Sequence, residues 1–106
     1  MQKITPHLWF NTEAKEATAF YTTLFPNSEV TNITTITGTP SGDCDMVTFK
    51  LAGLDFMAIS AGPYFQFNPS VSLFVVFDNE KEIEEAWNKL IDGGKALMEY
   101  GSYPWA

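Results

Sequence analysis

Residues 4–28 run ITPHLWFNTEAKEATAFYTTLFPNS, a strand pattern that passes directly into a helix pattern. Between Lys3 and Phe10 the residues alternate: Ile4, Leu8 and Phe10 share one face, Thr5, His7 and Trp9 the other. That two-residue period predicts a half-buried strand. Pro6 has no N–H for a ladder, which favours a sheet edge or a strand end. Asn11 or Thr12 is suited to cap a helix, with Glu13 and Glu16 near its positive end. Ala14, Ala17, Tyr21 and Leu24 then recur at helical spacing, flanked by Phe20 and Phe25, until Pro26 and Asn27 stop the run.

Beyond this unit, residues 29–37 (EVTNITTIT) are β-branched and polar. Their apolar points, Val30, Ile33 and Ile36, slip out of period, so a bulge or an early end is expected. Gly38 to Asp45 is a loop by composition. Val47, Phe49 and Leu51 alternate with Met46, Thr48 and Lys50, and after Ala52-Gly53 the chain returns as 54–60 (LDFMAIS). Two residues, one of them Gly, predict a hairpin. An aromatic loop (62–69, GPYFQFNP) leads to SVSLFVVF at 70–77, an apolar run expected to form a central strand. Asp78 or Asn79 then caps a helix whose Ile83, Ala86, Trp87, Leu90 and Ile91 form one stripe. Gly93-Gly94 ends it, and Lys95 to Tyr100 reads as a short last strand.

Composition narrows the function classes. The 106 residues are 45% hydrophobic and contain nine Phe, enough for the core of one domain. The net charge is −7 and all six basic residues are Lys. Phosphate backbones call for positive charge and base edges for Arg, so nucleic acid is not an expected partner. No run approaches the ~18 apolar residues of a membrane span, and the first residues lack a secretory h-region. Cys44 is the single cysteine, so no internal disulfide forms and a reducing, cytoplasmic location is expected.

A shift of 67 residues lays 8–24 on 75–91, pairing Phe10 with Phe77, Asn11 with Asp78, Glu13 with Glu80, Phe20 with Trp87 and Leu24 with Ile91. This order of elements resembles the paired βαβββ modules of the vicinal oxygen chelate superfamily, which includes glyoxalases, bleomycin-resistance proteins and extradiol dioxygenases. Four phrases, ITPHLWFNTEAKEATAFYTTLFPNS (4–28), FKLAGLDFMAIS (49–60), NPSVSLFVVF (68–77) and LIDGGKALM (90–98), are similar to its PhnB-like branch. That branch is also named for 3-demethylubiquinone-9 3-methyltransferase. The resemblance implies an α+β domain over residues 1–106 with a curved mixed sheet, two helices outside and a cup inside. The resemblance further implies a module one over about 1–62 and an incomplete module two over about 68–106, with a final hairpin expected beyond it.

By the same resemblance, the ligand positions of metal-dependent relatives fall at Thr5, Ser60 and Ser72. Hydroxyls are poor ligands for divalent transition metals, so no metal is expected. His7 is the only histidine and a candidate general base or ligand donor, with Ser60 as its hydroxyl partner. Trp9 and Phe74 are candidate stacking surfaces, and Thr5, Ser60, Ser70 and Ser72 can orient a small ligand. Cys44 lies between Asp43 and Asp45, a setting hostile to a thiolate nucleophile, and reads as an inert loop residue. No Gly-x-Ser-x-Gly elbow is present. No Gly-rich strand-to-helix turn for S-adenosylmethionine is present either, so no cofactor is expected. The expectation is a homodimeric, metal-independent protein that binds a small apolar or aromatic molecule. An enzyme using His7 and Ser60, or an interaction module without a ligand, remain as alternatives.

Overall fold

In the computed structural model, which describes residues 2–98 and Gly101, the first strand is β1 (His7–Phe10). It is followed by α1 (Ala14–Tyr21), β2 (Glu29–Thr39), β3 (Gly42–Leu51) and β4 (Leu54–Ser60). These form one mixed sheet in the order β1-β4-β3-β2. β1 runs parallel to β4, with Leu8 opposite Ala58 and Phe10 opposite Ser60, and α1 carries the chain from β1 across the sheet to β2 at the opposite edge. The other two pairings are antiparallel. The chain forms two compact units, Met1–Val71 and Ser72–Ala106.

β1 is shorter than the alternation suggests. Ile4 lies before it and is 87% exposed, so the apolar face reduces to Leu8 and Phe10. Phe10, Ala14, Val47, Phe49, Leu51, Phe56 and Ala58 form the core, with Leu8, Ala17, Tyr21, Phe25 and Val30 packed against it. Phe49 and Phe56 stack with ring centroids 5.4 Å apart. Burial of side chains this size contributes about 1.5–3 kcal/mol each.

Neither Asn11 nor Thr12 caps α1. Glu13 holds the N-cap position without a side-chain cap, and the Ala14 N–H donates instead to Ser60 Oγ on β4 at 2.9 Å. The Thr12 N–H donates to the Glu13 carboxylate, which holds that carboxyl below the usual carboxylate range. Thr18, absent from the expected stripe, is fully buried because its hydroxyl donates to the Ala14 carbonyl at 2.8 Å. Leu24 lies beyond the helix, whose end tightens into three-residue turns as the Thr22 and Thr23 hydroxyls take the Ala19 and Phe20 carbonyls. Burial raises the Tyr21 phenol pKa.

The slipping period of 29–37 becomes two register shifts, Val30/Asn32 and Ile36/Thr39, rather than an early end. The stretch 38–45 is not a loop: β2 runs to Thr39 and β3 begins at Gly42, leaving Pro40-Ser41 as the connection. Positive φ at Gly38 (72°) and Gly42 (83°) lets the hairpin close, which composition alone conceals. Cys44 is therefore a buried strand residue. The second hairpin forms as expected, with Ala52 (φ 50°) and Gly53 (φ 80°) between paired Leu51 and Leu54. Positive φ at both positions is the signature of a two-residue turn matched to strand twist.

In the second unit, α2 (Glu80–Ile91) is capped by Asn79, whose side chain accepts from the Glu82 N–H. Asn79 Nδ2 donates back to the Glu82 carboxylate, closing a reciprocal box. Gly93, at φ 79°, ends the helix as expected. The segment 72–77 joins no ladder. Residues 95–98 form no strand either, and the rest of that expected strand, 99–100, lies outside the described residues.

Candidate functional site

Strand register sorts side chains onto two faces. In-register partners share a face, so Leu8 and Phe10 join Ala58, Ser60, Asp45 and Val47 on the side that carries α1. Lys15 of α1 pairs with Asp45 there at 3.5 Å. The opposite side presents His7 and Trp9 from β1, Met57 and Ile59 from β4, and Met46 and Thr48 from β3. The helix side is closed by packing. The other keeps Trp9, Met46, Met57 and Ile59 only half-buried.

Trp9 anchors one end of this open face. Its indole N–H donates to the Gly62 carbonyl at 2.9 Å, and Phe65 stands edge-on to its ring at 5.0 Å. Phe67 meets Phe10 edge-on at 5.2 Å. The Ala61 and Gly62 N–H groups donate to Phe10 and Asn11 carbonyls, so the β1–β4 ladder continues into the aromatic loop. At the other end Lys50 and Asp55 form a 2.8 Å ion pair. Gln2 fixes that corner, donating to the Asp55 carbonyl and accepting from its N–H. The face is thus an apolar strip between an aromatic rim and a self-neutralised charge pair.

Of the residues singled out in the sequence, His7 and Trp9 share this face, His7 exposed and Trp9 half-buried. Thr5 lies just before β1 and is half-buried. Ser60 is buried on the helix side with its hydroxyl accepting from Ala14, so it is a capping group and does not face His7. Ser72 and Phe74 belong to the second unit, both exposed. Nothing in the alternation of β1 alone points to Met46, Met57 and Ile59, which share this face. Carrying the parity of Trp9 across its parallel neighbour would have found them. Among the described residues no three His, Cys, Asp or Glu side chains are placed to hold a metal ion. The hydroxyls of Thr5, Ser60 and Ser72 do not fit a divalent metal either.

The turn from β1 to α1 is Asn11-Thr12-Glu13, without glycine. Its first N–H groups are already taken by Glu13 and Ser60. These residues do not fit a Gly-rich cofactor turn. No helix among the described residues is long and apolar enough to cross a membrane.

Among solved structures, the chain is similar to a PhnB protein of Bacillus cereus named provisionally as a 3-demethylubiquinone-9 3-methyltransferase. The two share 38% identity and a TM-score of 0.90, over 99% of this chain and 85% of that one. A protein from Staphylococcus aureus known from its crystal structure is 33% identical over 98% of this chain and 80% of its own, with a TM-score of 0.48. No curated protein matches the chain significantly. The family described as 3-demethylubiquinone-9 3-methyltransferase matches residues 2–106, and the chain, with its mixed sheet and two helices in the PhnB-like arrangement, belongs to that family.

Proposed function

We propose that this protein binds a small, largely apolar or aromatic molecule on the open face of its sheet, without a metal ion, and does so as a homodimer. The observation that carries the reading is the asymmetry of the sheet. One side is closed by α1, while the other holds Trp9, Met46, Met57 and Ile59 half-buried beside polar His7 and Thr48. Apolar surface with a few polar groups at its edge is the usual make-up of a small-molecule site. Methyl transfer, the reaction in the family's name, finds no cofactor turn among these residues, and no step of it is assigned to them.

A catalytic reading through His7 with Ser60 has less support, because the two side chains lie on opposite faces. The test is a thermal-shift screen of the purified protein against small aromatic and aliphatic compounds, followed by titration of each hit into Trp9→Ala and Ile33→Ala. Ile33 pairs with Val47 on the helix side. Trp9→Ala is expected to weaken a genuine hit roughly tenfold or more, and Ile33→Ala to leave it unchanged. Hits indifferent to Trp9, or no hits at all, would overturn the reading.

A further inference from the structure

The aromatic loop gathers three rings around one glycine, all within the unit Met1–Val71. The Gly62 carbonyl accepts the Trp9 indole N–H at 2.9 Å. Gly62 stands at φ 96°, and a Cβ there would meet a Tyr64 ring carbon at 3.3 Å, tighter than ordinary van der Waals contact. The absent side chain therefore lets Tyr64 lie against the residue that holds Trp9 in place. Phe65 adds a wall, its ring plane at 84° to that of Trp9 with the centroids 5.0 Å apart. Tyr64 and Phe65 are both exposed. Aromatic rings carry negative charge on their faces, so exposed rings set at right angles form a corner that attracts an organic cation.

The charges of this unit favour the same occupant. The chain has no Arg, and the three lysines of the unit stand elsewhere. Lys15 pairs with Asp45 on the helix side, Lys50 pairs with Asp55 at the far end of the open face, and Lys3 adjoins Gln2, which bonds Asp55. At the aromatic end the ionisable neighbours are acidic: Glu13 follows β1, and Asp43 lies at the start of β3. A cation approaching that end meets an attractive potential. We infer that the corner formed by Trp9, Tyr64 and Phe65 binds the quaternary ammonium head of a small organic molecule, whose apolar remainder lies along Ile59 and Met57 of the open face. A primary ammonium needs hydrogen-bond acceptors, and the Gly62 carbonyl already accepts from Trp9. A quaternary head needs none and is held by ring faces alone. This rests on the small-molecule reading of that face and names the ligand class.

The experiment titrates the purified protein with choline and with its neutral isostere, in which a tert-butyl group replaces the trimethylammonium. NMR follows the Trp9 indole N–H resonance, identified by its absence from Trp9→Phe. Choline is expected to bind about fivefold tighter than the isostere, the contribution of ring faces to a partly exposed cation. Phe65→Leu keeps apolar bulk and removes a ring, and is expected to shrink that preference to about twofold while leaving the isostere's affinity unchanged. Tyr64→Leu, at a second exposed position, is expected to give the same loss. Equal affinities for the two compounds would overturn the cation site and spare the small-molecule reading, which the Trp9→Ala titrations decide. A preference for choline that survives both leucine variants would place the cation elsewhere, as on the acidic first turn of α2, and would also overturn it. No shift with either compound would overturn it as well, and the screen of aromatic and aliphatic compounds would still test the face itself.

Discussion

The strand–helix unit at the N-terminus and the one at 70–91 carry the same pattern, shifted by 67 residues, yet they end differently. The first strand enters a four-stranded sheet and buries Phe10. Its counterpart, 72–77, joins no ladder. Both helices form. A helix closes its hydrogen bonds within itself, so a capping residue and an apolar period suffice to start it. A strand's N–H and C=O groups must find another strand. The same local pattern therefore specifies a helix outright and a strand only when a neighbour is supplied.

Packing gives the largest test of that contrast. Phe49 is 1% exposed and stacked on Phe56, so Phe49→Ala is expected to cost about 3–5 kcal/mol in urea unfolding. Trp87 is half-buried, and Trp87→Ala is expected to cost about 1–2 kcal/mol at the same protein concentration. Equal losses would show that the second unit has a core as complete as the first and would break the comparison.

The two caps provide a subtler one. α1 is capped across the fold, by Ser60 from β4, and α2 from its own chain, by Asn79. Ser60→Ala leaves a buried N–H without its acceptor and is expected to cost about 1–2 kcal/mol. Asn79 is exposed, water can replace it, and Asn79→Ala should cost about 0.5–1 kcal/mol. Urea unfolding of the two variants measures the difference. A larger loss at Asn79 would mean that the cap from β4 is not the stronger.

These elements also mark what was legible in the sequence. The Ala52-Gly53 hairpin, the slip in β2, the cap and stop of α2 and the strand at His7–Phe10 all depend on residues close together in the chain, and all were readable. The Ser60 cap was not, because a serine at the end of a strand carries no sign that a helix N-terminus 46 residues away will use it. The sequence offers its hydroxyl as a site group beside His7, and only the pairing of Phe10 with Ser60 shows that it faces the helix. The hairpin at 38–45 was hidden because glycine at positive φ can equally belong to a loop or to a bulged strand. Alternation alone puts His7 and Trp9 on a common face. The methionines that share it required knowing that β4, and not another strand, lies beside β1.

The smallest effect concerns the most local element. Ala52 adopts φ 50°, a left-handed conformation that costs a non-glycine residue about 1–2 kcal/mol. Its N–H donates to Ser28 Oγ at 2.9 Å and the next N–H, of Gly53, to the Asn27 carbonyl at 3.0 Å, so backbone bonds hold the turn in place. Asparagine tolerates this conformation and keeps both bonds, so Ala52→Asn should stabilise the protein by about 0.5–1 kcal/mol. Ala52→Gly should give less, because glycine also loosens the unfolded chain. Gly53→Ala should do the reverse, since the added Cβ would sit 3.0 Å from Asn27 Nδ2 at an already positive φ. Thermal melts of the three variants rank them. If Ala52→Asn left the melting temperature unchanged, the turn would be imposed by β3 and β4 around it, and even this hairpin would depend on its neighbours.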